Sequence, residues 1–260
     1  MKKLFRILIC TTSMATAAQS GPALSNDTTI TAIFEAIYNF QFQKARLQLE
    51  NSKHQLSPAI YRWLETENEW WQLLSGKDSS LAKHLENKWE NRRKNLRCRM
   101  SANKKGPWED CFTVFVYDTY LLRLHSMRHR WRKAAETYLR LRNEWKYLQH
   151  VMPSSYRYSE IFSVYNATLV SVQHKFIPWI FDTQPLHKSL KELEKIAREG
   201  NTVSSTLALY ALVKIHTSVI PDTVKARTDL EILVKRFPHN TVLQELRNEI
   251  FPPSSKNRVR

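Results

Sequence analysis

The chain has 260 residues, enough for a sizeable core in one elongated body or two small domains. Only four residues are glycine, which argues against glycine-cradled phosphate sites and turn-rich sheets and favours helices with short connections. A formal charge of +16 leaves nucleic acid, anionic lipid or plain solvation as what the surface meets, and location narrows that choice.

Residues 1–18 read as a secretory signal. Lys2, Lys3 and Arg6 precede an apolar run from Ile7 to Cys10, and Ala15-Thr16-Ala17 and Thr16-Ala17-Ala18 offer small-residue cleavage sites. The run is too short and too interrupted by Thr and Ser to span a bilayer. The expected location is therefore exported: periplasmic, outer-membrane-associated or secreted. Residues 19–26 read as a flexible lead. Residues 27–251 read as one helical domain, and residues 252–260 as a frayed basic tail.

Within the domain, Asp27 or Thr28 caps a helix with Ile30, Ile33, Phe34, Ile37 and Tyr38 on its apolar face. A turn at Asn39–Gln41 leads to a second helix carrying Phe42, Ala45, Leu47 and Leu49. Ser57 and Pro58 start a third, with Ile60, Tyr61, Leu64, Trp70, Trp71, Leu73 and Leu74. From Ser79 to about Arg99 runs a basic helix with Leu81, Leu85, Trp89 and Leu96 on one side. FTVFVYDTYLLRL, from Phe112, has the local propensity of a strand. Leu121, Leu122 and Leu124 continue its stripe at helical spacing, which predicts a helix to about Arg128.

Trp131, Ala134, Ala135, Tyr138, Leu139 and Leu141 give its partner helix, ending before Pro153. Further helices are predicted over Ser154 to about His174, Leu186 to Glu199 and Thr202 to about His216. Residues 176–185 form an apolar loop. Asp222–Asn240 (DTVKARTDLEILVKRFPHN) carries a stripe of Ala226, Leu230, Leu233 and Val234 that stops at Pro238. Thr241 to about Phe251 caps the end.

The small residue at Ala226, the bulky residue four on and the proline a dozen later resemble the second half of a tetratricopeptide (TPR) repeat. The likeness extends over IFEAIYNFQFQKARLQLE with ENEWWQLL, CFTVFVYDTYLLRLHSMRHRWRKAAETYLRLRNEW and LALYALVKIHTSVIPDTVKARTDLEILVKRFPHN. The chain thus resembles the exported TPR proteins of Gram-negative bacteria. The resemblance implies an all-α fold of antiparallel helix pairs, stacked as a TPR-like right-handed superhelical solenoid. It also implies a non-enzymatic scaffold for a protein or peptide partner, with no catalytic residues to carry over. About five pairs plus a cap are expected. The glycine of many first repeat helices is missing; bulky residues near Phe115–Tyr120 take its place in the third pair.

Several constellations bear on chemistry. Cys98 and Cys111 are expected to form a disulfide in an exported chain, closing a loop of about fourteen residues worth roughly 3 kcal/mol; two buried thiols are the alternative. His125 and His129 stand four apart but among arginines, which argues against a metal. Glu65 and Glu69 share a helix face and read as partners for a basic neighbour rather than an acid–base pair. Of Trp70, Trp71, Trp89, Trp131 and Trp145, most are expected in the core. Arg92, Arg93 and Arg97 on one helix and Arg128, Arg130 and Arg132 near another are the candidate contacts for an anionic partner. A peripheral membrane binder acting through these basic helices is the first alternative function. An all-helical wall-active enzyme is the second, and would need a lone glutamate in an aromatic cleft. Export argues against nucleic acid, and no cofactor is expected.

Overall fold

The computed structural model describes residues 28–102, 107–153, 160–176 and 184–251, with the side chains of 98–102, 172–176 and 184–185 excepted. The signal, the lead, the Asp27 cap, the start of the helix placed at Ser154, most of the 176–185 loop and the basic tail lie outside these residues. Among the described residues the chain is all-helical. The helices are α1 (Thr28–Tyr38), α2 (Phe42–Asn51), α3 (Pro58–Gly76), α4 (Ser79–Ala102), α5 (Trp108–Met127), α6 (Trp131–Val151), α7 (Glu160–Phe176), α8 (Gln184–Glu199), α9 (Thr202–Ser218), α10 (Thr223–Arg236) and α11 (Thr241–Ile250).

Short polar side chains start these helices, as their chemistry dictates. Ser57 accepts from Ile60 N at 3.3 Å, Asn201 from Val203 N at 3.0 Å, Asp222 from Lys225 N at 3.0 Å and Asn240 from Leu243 N at 3.0 Å. Lys77, just past Gly76, takes a left-handed conformation (φ 51°) and closes α3.

The helices pack as neighbouring pairs, and the odd-numbered ones from α1 to α9 form an inner set. α1 packs on α3, α3 on α5, α7 on α9, and α9 returns to α1. Between α5 and α7 the contact is aromatic: Phe112 to Phe162 at 5.1 Å and Phe115 to Tyr165 at 5.6 Å between ring centres. The inner helices therefore close a cycle. They run parallel: Arg62 near the start of α3 faces Asp110 near the start of α5 at 3.7 Å, and Glu160 at the start of α7 meets Ser204 at the start of α9. The even-numbered helices lie outside, α2 on α1 and α3, α4 and α6 on α5, α8 on α7 and α9, α10 on α9. α11 lies on α10 and touches α3.

This placement explains which helices are apolar all round. α5 is buried at every position from Cys111 to Leu122, and α9 at nearly every position from Val203 to His216. Enclosure on all sides removes the polar face a surface helix would show, so the strand-like FTVFVYDTYLLRL is a core helix. α5 begins at Trp108, four residues before the expected Phe112.

Some expected core positions are outside. Leu47, Trp131, Ala135 and Leu139 are exposed. α6 packs chiefly on α5, so only the stripe of Ala134, Tyr138, Leu141, Trp145 and Leu148 is covered. Leu47 lies across the helix from the buried Ala45 and Leu49 of α2. Trp70, Trp71, Trp89 and Trp145 are core; Trp131 is the exposed one of that set.

Candidate functional site

The candidate arginines are distributed as braces between helices. Arg92 Nη1 donates to Glu65 at 2.6 Å, tying α4 to α3. Beside it, Lys88 and the Trp89 indole N–H donate to Glu69. Glu65 and Glu69 are thus partners of the neighbouring basic helix. Arg93 reaches Glu90 at 3.1 Å and Asp118 of α5 at 3.6 Å, and Arg97 pairs with Glu144 of α6. Arg132, 93% exposed, pairs within α6 to Glu136 at 3.1 Å.

Arg128 and Arg130 converge on one carboxylate. Glu86 of α4 accepts from Arg128 at 3.0 Å, from Arg130 at 2.7 Å and from Lys133 at 2.9 Å. Burial pushes the Glu86 carboxyl up, but Lys133, Arg130 and His125 more than reverse this and hold it below its ordinary value. Three cations on one carboxylate leave this corner net positive. His125 Nε2 lies 3.4 Å from Glu86 Oε1, poorly aligned for a hydrogen bond. Burial, with Lys133 adding to it, holds that imidazole below its usual pKa. His129 stands past the end of α5 with φ 54°, its ring edge-on to Trp131 at 5.7 Å. The two histidines therefore share no helix face, and no cluster among the described residues has metal-ligand form.

A buried carboxyl pair joins α5 to α6. Asp118 has no exposure, and Glu144 faces it. Arg140 Nη2 donates to Asp118 at 3.0 Å, and Arg93 and Arg97 close the group. Burial and the Asp118 charge push the Glu144 carboxyl up to about 8, so near neutrality Glu144 keeps its proton. Nearby, burial followed by the Asp110 charge pushes the Cys111 thiol up to about 11. Cys111 is a buried free thiol, and the Cys98 side chain expected to pair with it lies outside the described residues.

The inner helices enclose a lone glutamate among aromatic rings. Glu67 of α3, 1% exposed, accepts hydrogen bonds from the hydroxyls of Tyr38 on α1 (3.2 Å) and Tyr120 on α5. Burial and the Glu67 charge hold both hydroxyls far above the ordinary tyrosine value, so they stay donors. Arg123 lies over the Tyr120 ring at 4.9 Å. Trp71 contacts Tyr38 at 4.6 Å and Tyr210 of α9 at 5.8 Å, and Trp70 contacts Tyr120 at 5.9 Å. This is the lone glutamate among aromatic rings that a glycan-cutting enzyme would need, but its carboxylate is buried. Each Glu67 oxygen holds a tyrosine hydroxyl.

Above it, where the C-terminal ends of α3, α5 and α9 gather, lies a cavity of about 420 Å³. Leu73, Leu74, Ala82, Met127, Val242 and Leu246 supply apolar walls, and Tyr210 links it to the aromatic centre. Lys77, Arg128 and Lys214 stand on its rim beside Asp78, Glu245 and Glu249. Cations suit this end because the last helix carbonyls point there. Lys77 pairs with Glu245 at 2.7 Å, Lys214 lies over the Tyr210 ring at 5.5 Å, and Asp78 caps α4 through Ser80 N at 2.7 Å. Of the candidate arginines, Arg128 alone lines this groove.

Compared with family models, curated proteins and solved structures, the chain matches none. Among the described residues no helix is long and apolar enough to cross a membrane.

Proposed function

We propose that this chain is an exported, non-enzymatic scaffold of the cell envelope. In this reading it is a TPR-like superhelix short enough for its ends to meet, and it takes a protein or peptide segment in the end groove. One observation carries the proposal. The concave side that an open array would offer is filled by Glu67 and its aromatic shell, whereas the end groove is open, apolar and within the size range of ligand pockets. Its rim favours a segment with apolar residues followed by an acidic group, which Arg128 and Lys214 would meet. The burial of Glu67 beneath two tyrosine hydroxyls speaks against acid catalysis, which requires contact with a substrate.

The test is a random-peptide library panned on the parent chain and on Leu74→Glu and Leu246→Glu variants. Peptides sharing an apolar–acidic pattern should be captured by the parent and lost by both variants. Capture that ignores the groove substitutions would sink the groove. Hydrolysis of wall glycan that disappears in Glu67→Gln would replace the scaffold by an enzyme.

A further inference from the structure

Glu86 gathers more cations than it can neutralise. α5 ends at Met127 and α6 starts at Trp131, so Arg128, Arg130 and Lys133 arrive at one turn and fold back on this carboxylate of α4. Three positive charges meet one negative charge, which leaves two in excess. Other carboxylates close by already have partners: Glu90 faces Arg93 and Arg140, and Glu136 faces Arg132. The cations also keep free donors. Each guanidinium gives Glu86 only its Nη1, and neither its Nε nor its Nη2 meets an acceptor among the described residues. Lys133 uses one of its N–H groups on Glu86. The side chains of Arg128, Arg130 and Lys133 are 25%, 37% and 55% exposed, so these donors face water. Beneath them His125, 2% exposed, turns Nε2 towards the same carboxylate without making a hydrogen bond. α6 has no side-chain cap and no acidic residue in its first turn, so its positive end adds to the field. Lys83, one turn before Glu86 on α4, is exposed on the same helix face.

We propose that the Glu86 corner is a binding site for a terminal phosphate group, with Arg128, Arg130 and Lys133 as its donors. Charge decides the ligand class. A carboxylate would leave the corner positive, whereas free phosphate or a phosphate monoester brings close to two charges and at least three acceptor oxygens. Guanidinium edges and an ammonium group suit those oxygens. Arg128 also lines the end groove, but Arg130 and Lys133 do not. The corner can therefore hold phosphate whether or not the groove holds a peptide.

The experiment is isothermal titration calorimetry of the full chain with inorganic phosphate, hexyl phosphate and acetate at about pH 8, where phosphate carries close to two charges. Saturable binding of phosphate is expected, with acetate roughly tenfold weaker or more. Arg130→Gln and Lys133→Gln should each weaken phosphate roughly tenfold. Glu86→Gln keeps an acceptor for the cations but removes a charge that repels phosphate, so affinity should rise severalfold. A corner that only braces helices would lose stability in this variant and gain no affinity. If Glu86→Gln does not fold, the exposed Lys133 still decides. Leu74→Glu should leave inorganic phosphate binding unchanged, which separates this site from the groove. Tighter binding of hexyl phosphate, lost in Leu74→Glu, would support a phosphate whose carrier lies in the groove; equal affinity would support free phosphate. No saturable binding, acetate binding as well as phosphate, or phosphate binding that ignores Arg130→Gln and Lys133→Gln would overturn the proposal.

Discussion

Asp118 and Glu144 carry opposite lessons about a single letter in a sequence. Asp118 interrupts an otherwise apolar run, FTVFVYDTYLL, and that interruption was the one available signal that a carboxyl would be buried. Glu144 stands in a charged stretch of α6 and gives no such signal, because burial there depends on α4 and α5 arriving from elsewhere in the chain. Glu67 is intermediate: it lies between Trp63 and Trp71, but only the closing of α1 and α5 over it supplies the two hydroxyls. The Asp118–Glu144 pair has a measurable consequence. Glu144 holds its proton more tightly in the folded protein (about 8) than in the unfolded chain, so its contribution favours folding at low pH. That contribution is complete below the ordinary glutamate value and is lost as pH rises towards about 8. Asp229, raised to about 6 mainly by burial, adds the same sign over a lower window. Between about pH 5 and 8 the pair is expected to cost the protein roughly 1–3 kcal/mol. Glu144→Gln keeps the shape and lets an amide N–H face Asp118, so it should flatten stability over the upper part of that range. Urea unfolding at several pH values reads this directly, and an unchanged slope in the variant would refute the raised proton affinity of Glu144.

At the level of elements, helix positions were legible because caps and stripes are local. Ser57-Pro58, Asn201, Asp222 and Asn240 announce helix starts and perform that role. What the stripes could not say is how wide a covered face would be. α6 is covered on one narrow side, so Leu139 fell on the wrong side of its boundary, whereas α9 is covered almost completely. The α8–α9 junction depends on a contact that neither helix shows alone. Gly200 follows the end of α8, and a Cβ there would stand 2.5 Å from Ile196 O, 2.6 Å from Ser204 Oγ and 3.1 Å from Glu160 Oε2. The carbonyl belongs to the helix backbone and cannot yield cheaply. Ser204 is held by both Glu160 and the Asn201 side chain, so moving it loosens α7 as well as the α9 cap. Gly200→Ala should therefore destabilise by about 1–3 kcal/mol and lower Tm by roughly 2–10 °C. A Tm at the parent value would mean that the junction has room the packing denies.

Across the whole molecule, the decisive contact is between residues about two hundred positions apart. Asn240 accepts from Leu243 N to start α11 and donates its Nδ2–H to Tyr38 O at 2.9 Å, while Phe237 packs on the Tyr38 ring at 5.1 Å. Lys77–Glu245 ties α3 to α11 beside it. In an open repeat array each unit touches only its neighbours, so damage at one end stays at that end. Here α1 and α3 rest on the last helices, and the Tyr38 hydroxyl that satisfies Glu67 is held in place by that seam. Asn240→Ala removes a cap worth about 1 kcal/mol and a buried hydrogen bond of similar size, for a total loss of roughly 2–3 kcal/mol. The location of the loss is the sharper test. Hydrogen exchange should speed up in α1 and the C-terminal half of α3 as well as in α11, although α1 lies at the opposite end of the chain. Ending the chain after His239 should produce the same pattern more strongly, and if that shorter chain does not fold, the single substitution still reports. Faster exchange confined to α10 and α11 would mean that the ends touch without holding each other. Coupled loss across the seam would mean that the centre of the molecule, Glu67 included, depends on closure and not on stacking alone.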